Sequence, residues 1–182
     1  MAIETWKIDS SHSGIHFSVR HMVIAKVRGQ FARWSGSVLV EDGDLAKAKA
    51  DVIIDATSID TGVADRDAHL KSPDFFDVAK FPEITFRSES VEKLSDEALR
   101  VSGELTIRGV TRSVLLDVEH NGRTKDPWGN ERVGFTAKTS VDRKDFGLTW
   151  NQVLEAGGVM VGDRVTIEIE VEAVKQSAAK AA

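Results

Sequence analysis

Apolar and polar residues alternate with a period of two along almost the whole chain, and no other feature constrains its fold as tightly. Successive side chains of a strand point to opposite faces, so each such run reads as a strand with one apolar and one wet face. Ile15, Phe17 and Val19 oppose His16, Ser18 and Arg20. Trp34, Gly36, Val38 and Val40 share a face across Ala32 to Glu41, as do Val52 and Ile54 across Ala50 to Ala56, and Ile84 and Phe86 across Glu83 to Glu89. The pattern sharpens at Leu99, Val101, Gly103, Leu105 and Ile107, and again at Val114, Leu116 and Val118. Two further rows follow: Val133, Phe135, Ala137, Thr139 and Val141, then Val165, Ile167, Ile169 and Val171. A short strand is expected around Trp6 and Ile8. Helical periodicity is nearly absent.

Turn chemistry separates these runs at Asp42-Gly43, Arg108-Gly109, Asn121-Gly122 and Pro127-Trp128-Gly129-Asn130, which predicts hairpins between antiparallel neighbours. The fold class is therefore all-β. About eight half-wet strands are best satisfied by curling one sheet into a closed antiparallel barrel, which removes its edges. A two-sheet sandwich satisfies the same pattern.

One stretch, Thr61 to Pro82, breaks the rhythm. It predicts a short helical insert over Val63 to Lys71, because Pro73 blocks extension and biases Ser72 away from helix. A smaller helical turn is expected at His21 to Ala25. From Ala173 to Ala182 the chain is small and polar and reads as a frayed end, with one domain over 1–174 and a flexible tail over 175–182.

Composition narrows the function classes. With 24 basic and 29 acidic residues the net charge is −5, which disfavours a nucleic-acid partner. Zero cysteines removes disulfides, thiolate metal sites and cysteine nucleophiles together. No run of about 18 apolar residues could span a membrane, and the first residues show no secretory signal, so a cytoplasmic location is expected.

Signals for chemistry are weak. His12 and His16 are four residues apart on or beside a strand, about 13 Å, too far for one metal ion. Asp9-Ser10-Ser11-His12-Ser13 has triad residue types at adjacent positions, which reads more simply as a hydrogen-bonded turn. Gly157-Gly158-Val159-Met160-Val161-Gly162 is followed by no helix and is not a phosphate loop. No metal, cofactor or catalytic group is expected. The inward rows mix Trp34, Phe86 and Phe135 with Gly36, Ala56, Gly103, Ala137 and Thr139, which is compatible either with a cavity or with a core filled from across the barrel.

The runs Trp6 to Ser13, Phe17 to Met22 and Val27 to Phe31 resemble the start of the YceI-like family of polyisoprenoid-binding proteins. Ser58 to Gly62, Arg66 to Ser72, Asp74 to Asp77, Gly103 to Thr111 and Val141 to Leu148 extend the resemblance over about residues 4 to 174. The resemblance implies a lipocalin-like barrel that carries a long isoprenoid or similar lipid in an apolar tunnel, without catalysis and often as a homodimer. Many members are periplasmic and carry a signal peptide; Met1 to Lys7 show no basic or apolar region of that kind, in keeping with the cytoplasmic expectation. Candidate ligand-binding residues are Phe17, Val19, Met22, Phe31, Trp34, Val38, Ile54, Leu70, Phe75, Phe76, Phe86, Leu105, Phe135 and Trp150. The helical insert with Phe75, Phe76 and Phe81 is the expected mouth or lid. Two alternatives are an enzyme acting on a sequestered lipophile, with His21, Arg66 or His69 near the head group, and a packed barrel serving as an interaction module.

Overall fold

In a computed structural model, which describes residues 1–177, the strands are β1 (Ile3–Ile8), β2 (Gly14–His21), β3 (Ala25–Phe31), β4 (Trp34–Glu41), β5 (Asp44–Asp55) and β6 (Ile59–Asp60), then β7 (Glu83–Lys93), β8 (Ala98–Ile107), β9 (Val110–Lys125), β10 (Glu131–Asp142) and β11 (Val161–Lys175). They assemble as eight staves. β1 and β2 lie end to end along β11, β3 and β4 lie end to end along β2 and β1, and β6 and β5 lie in turn along β3 and β4. β7 to β11 then follow as a meander, each antiparallel to the last, and β11 returns to the first stave to close the ring. The structure is thus a closed up-and-down barrel, and the sandwich alternative is excluded.

Two of the staves bend at single turns of 3-10 helix, and side chains set both bends. Asp9 caps the turn Ser10–His12 by accepting from the Ser11 amide, and Asp55 caps Ala56–Ser58 by accepting from the Thr57 amide. The second cap also accepts from the Arg33 guanidinium at 3.0 Å, which fastens the bend of the β5–β6 stave to the bend between β3 and β4. Helix α1 (Ala64–Lys71) starts after Val63 and ends before Pro73, as the sequence predicts. It shares one end of the barrel with the loops 72–82 and 147–160, called here the helix end. The opposite, hairpin end carries the turns 42–43, 94–97 and 126–130.

Three local expectations are corrected. Asn121-Gly122 is not a turn: β9 continues through it to Lys125, and the pairing with β10 shifts so that Gly134 faces Gly122 while Phe135 faces His120. Asn121 is the extra residue of a bulge, and Gly122 supplies its positive φ of 112°. Met22 to Ile24 form the tight turn of the β2–β3 hairpin rather than a helical turn. Ala173 to Lys175 belong to β11, with Ala173 fully buried against Val133 and Ile8, so the barrel extends past the expected end at 174. Gln176 is held as well, its amide donating to the Thr5 carbonyl at 2.7 Å, and the expected tail beyond residue 177 lies outside the described residues.

An ionic network ties the hairpin end together. Arg132 donates to Asp126, Asp9 and Glu172 at 2.8, 2.9 and 2.6 Å, and Asp126 also accepts from the Trp128 and Asn130 amides of its own turn. The Arg132 guanidinium is the main cause holding the Asp126 carboxyl well below the ordinary range, while the Ser11 hydroxyl, then His12 and Arg132, do the same for Asp9. Carboxyls depressed in the folded state stabilise it fully above their unfolded pKa of about 3.9, and that contribution is lost progressively as pH falls from there through the lower folded values. The destabilisation caused by Arg132→Met should therefore be largest at neutral pH and shrink below about pH 4 in paired urea melts. An equal loss at both pH values would show that ionisation of these carboxyls contributes nothing.

Candidate functional site: an apolar lumen

The inward rows of the eight staves enclose a cavity of about 280 Å³. Trp6, Val40, Val133 and Ala173 close it at the hairpin end, and Ile59, Phe75, Phe146 and Leu148 pack across the helix end. Between these plugs, Val52, Phe86, Val101, Phe135 and Val171 border the cavity and are only half-buried although the wall surrounds them. Over the Trp6 plug the Glu4 carboxylate accepts from Lys175, Arg123 and the Trp6 indole, and Arg123 lies 4.9 Å from the indole ring centre. The Lys175 ammonium is the first cause lowering the Glu4 pKa.

Among the described residues, and apart from the Trp34 indole, Ser88, Thr139 and Arg143 are the polar side chains at the cavity wall, and each is bonded to backbone. Ser88 accepts from the Ala50 amide and Thr139 donates to the Leu115 carbonyl. Arg143, 5% exposed, donates to the carbonyls of Leu148, Gly162, Trp150 and Val161 at 2.6, 2.8, 2.9 and 3.3 Å, and burial pushes its pKa down. These are the residues of the loop 147–160 and the start of β11, so Arg143 is a strut for that loop. What it leaves facing the cavity is hydrocarbon.

Twelve of the fourteen candidate residues border the cavity: Phe17, Val19, Phe31, Trp34, Val38, Ile54, Leu70, Phe75, Phe76, Phe86, Leu105 and Phe135. Two do not. Met22 is exposed at the β2–β3 turn, because the inward parity of β2 ends before it. Trp150 packs from outside against Phe75 and His69, with ring centres at 5.5 and 4.6 Å. The expected lid is also divided: Phe75 and Phe76 face inward, whereas Phe81 covers the Arg108-Gly109 turn, where a Cβ on Gly109 would stand 2.7 Å from its ring.

Of the polar candidates, Arg66 is spent on Thr61, donating to its hydroxyl and carbonyl at 2.7 Å, and His69 is bonded to Asp74 at 2.9 Å. Neither borders the cavity, nor does His21. Asp9, His12 and Glu172 stand close enough together to share an ion, but the Arg132 guanidinium already lies between their carboxylates.

The small inward residues do not all contribute space. A Cβ on Gly103 would stand 2.6 Å from the Phe86 ring, and one on Gly36 2.7 Å from Ile8, so both gaps are filled by neighbours. Space remains instead along Ala48, Ala50 and Ala137. Leu45, Ala48 and Ala50 went unsingled in the sequence because Asp44 to Ala50 alternates alanine with lysine, a weak apolar signal.

A closed eight-staved antiparallel barrel around one hydrocarbon-lined lumen is a lipocalin-like protein. The chain belongs to the YceI-like domain family, whose pattern matches residues 6–173. A UPF0312 protein of Staphylococcus aureus is 38% identical over 165 residues, 90% of this chain and 94% of the relative. The YceI protein of Campylobacter jejuni has the same fold, with TM-score 0.73, 33% identity, and coverage of 87% of this chain and 90% of its own. BcnA of Burkholderia cenocepacia shares the fold at TM-score 0.79 and 22% identity, covering 91% and 98%. A polyisoprenoid binding domain of Saccharophagus degradans does so at 0.70 and 17%, covering 94% and 98%.

Proposed function

We propose that the protein binds a long-chain polyisoprenoid or related lipid in its lumen and carries or stores it without chemical change, as a homodimer. The observation that carries this reading is a lumen walled by hydrocarbon whose Ser88, Thr139 and Arg143 side chains are all bonded to backbone. Such a site rewards apolar area and offers no free group to a reaction. The Saccharophagus domain of the same fold is a polyisoprenoid binder, which agrees with that chemistry.

Each isoprene unit has five carbons, and at about 0.8 kcal/mol per buried methylene its transfer from water is worth roughly 4 kcal/mol gross. Threading a flexible chain consumes most of this, and large ligands realise about 0.3 kcal/mol per heavy atom. About six units, roughly thirty heavy atoms, then give about 9 kcal/mol, a submicromolar Kd. Selectivity then lies in the length and width of the lumen.

Organic extraction of purified protein followed by mass spectrometry should release an isoprenoid lipid in stoichiometric amount. Recovery of none, even after incubation with isoprenoids, would sink the reading. Ala137→Phe separates binding space from packed core, because Ala137 borders the cavity between Val118 and Ile169 and is 7% exposed. A ring that enters binding space should leave the melting temperature unchanged or slightly raised while lipid retention falls. A ring forced into a filled core should cost about 1 to 3 kcal/mol in the lipid-free protein.

A further inference from the structure

The β2–β3 hairpin ends in three consecutive apolar residues that the barrel does not bury. Met22, Val23 and Ile24 are 40%, 61% and 83% exposed. Their backbone is also costly. Met22 and Val23 both lie in the left-handed region, at φ 52° and 67°, a conformation that a β-branched residue adopts at a steric penalty. In the β4–β5 and β8–β9 hairpins the same two left-handed positions are filled by Asp42-Gly43 and Arg108-Gly109, so Val23 stands where the other two turns place glycine. Folding alone favours glycine or asparagine there, so the strained side chains point to a use outside the fold.

A second apolar loop stands beside the first. The Met22 amide donates to the Met160 carbonyl at 2.8 Å, and the Val23 side chain packs on Gly158, where an added Cβ would stand 3.2 Å from it. Val153 and Val159 of this loop are 79% and 38% exposed, so the two loops form one apolar tip at the helix end.

Behind the tip the outer face is basic. Arg20 and Lys26 are directly opposite each other in the β2–β3 ladder, and Arg28 follows on the same face. Like charges in that position repel. None of the three makes an ion pair among the described residues, although the protein as a whole carries a net charge of −5. Of the nearby acids, Asp163 is held by Lys144 at 3.0 Å, Glu155 lies on the apolar loop, and Glu168 and Asp60 lie one row further from the tip, in line with His16 and Gln30.

We propose that this tip docks the barrel on an anionic lipid bilayer. Val23, Ile24 and Val153 enter the interfacial layer, and Arg20, Lys26 and Arg28 meet the phosphates of the headgroups. Apolar area and attraction to anionic lipid are the two contributions that hold a protein at a membrane surface, and the tip presents both on one side of the molecule. The inference stands on the tip alone and holds whatever the lumen carries.

Flotation with vesicles of phosphatidylcholine, with and without phosphatidylglycerol, tests it directly. Wild-type protein should float with the anionic vesicles at low salt, more weakly in about 0.5 M salt, where charges are screened beyond a few ångströms, and weakly with phosphatidylcholine alone. Ile24→Asp, and Arg20→Glu with Lys26→Glu, should each lower the affinity roughly tenfold or more. Val23→Gly is the sharper variant, since it relieves the strained turn: its melting temperature should rise while vesicle binding falls. Ile53→Thr, on the outer face of β5 and outside the tip, should bind vesicles like wild type. Absence of wild-type flotation, or equal binding by Ile24→Asp, would overturn the proposal. So would a concentration-dependent dimer abolished by Ile24→Asp in a protein that ignores vesicles, an outcome that assigns the tip to a second copy of the chain.

Discussion

Replacing Arg143 by methionine should destabilise the protein by about 2 to 3 kcal/mol, because carbonyls held by a charged donor lose it. Methionine restores much of the volume but leaves the Gly162, Leu148 and Trp150 carbonyls without this donor, the Leu148 bond being the buried one, whereas the Val161 carbonyl keeps the Asn151 side-chain amide at 2.7 Å. Urea melts report the total. Hydrogen exchange reports the location, and protection should fall first in the loop 147–160, which the guanidinium ties to the start of β11. Arg143→Lys should recover only part of the loss, because three ammonium hydrogens on a point charge cannot match a planar fork reaching four carbonyls. A loss below about 1 kcal/mol for Arg143→Met would mean that the loop holds itself in place.

The two adjacent isoleucines of β5 should behave in opposite ways. Ile54 is 7% exposed, faces the lumen, and has Trp34 and Ile84 as its ladder neighbours. Ile53 is 48% exposed on the outer face between Ser35 and Thr85. Ile54→Asp removes a buried aliphatic side chain and puts a carboxyl among hydrocarbon, for a combined cost of about 4 kcal/mol or more. Burial raises the pKa of such a carboxyl, so its penalty should grow as pH rises above about 4, where the unfolded chain ionises freely. Ile53→Thr should stay within about 0.5 kcal/mol of wild type. Comparable losses at the two positions would show that the strand does not present its faces as described.

The same two residues show why so much of the barrel is legible in the sequence. Wherever one face of a strand meets hydrocarbon and the other meets water, the chemistry alternates, and β2, β8, β10 and β11 follow directly from that. The rule lapses where a residue's surroundings are set from far away in the chain. Asn121-Gly122 has hairpin chemistry, but β10 lies along both sides of it, so it becomes a bulge. Gly36 and Gly103 look like gaps, yet the side chains that fill them come from the neighbouring staves. Met22-Val23 turns without glycine, and Arg143 buries its charge on carbonyls that carry no sequence signature. Trp150 is an aromatic residue near an apolar row, and nothing local to it signals that it packs on Phe75 and His69 and does not border the cavity.

The seam between the first and last staves sets the order in which the barrel can be completed. Trp6 pairs with Lys175 and Ile8 with Ala173, while β2 pairs with the earlier part of β11. Every other junction pairs residues no more than 42 positions apart and can form as soon as the second partner leaves the ribosome. The closing junction spans nearly the whole sequence, and ordering so long a loop is a slow step. Until β11 is synthesised, the nascent protein is an open, curved sheet with two unpaired edges and its entire apolar face in contact with water. That interval is when aggregation competes with folding. Substitutions in β11 should therefore reduce the yield of native protein more than their effect on equilibrium stability would suggest.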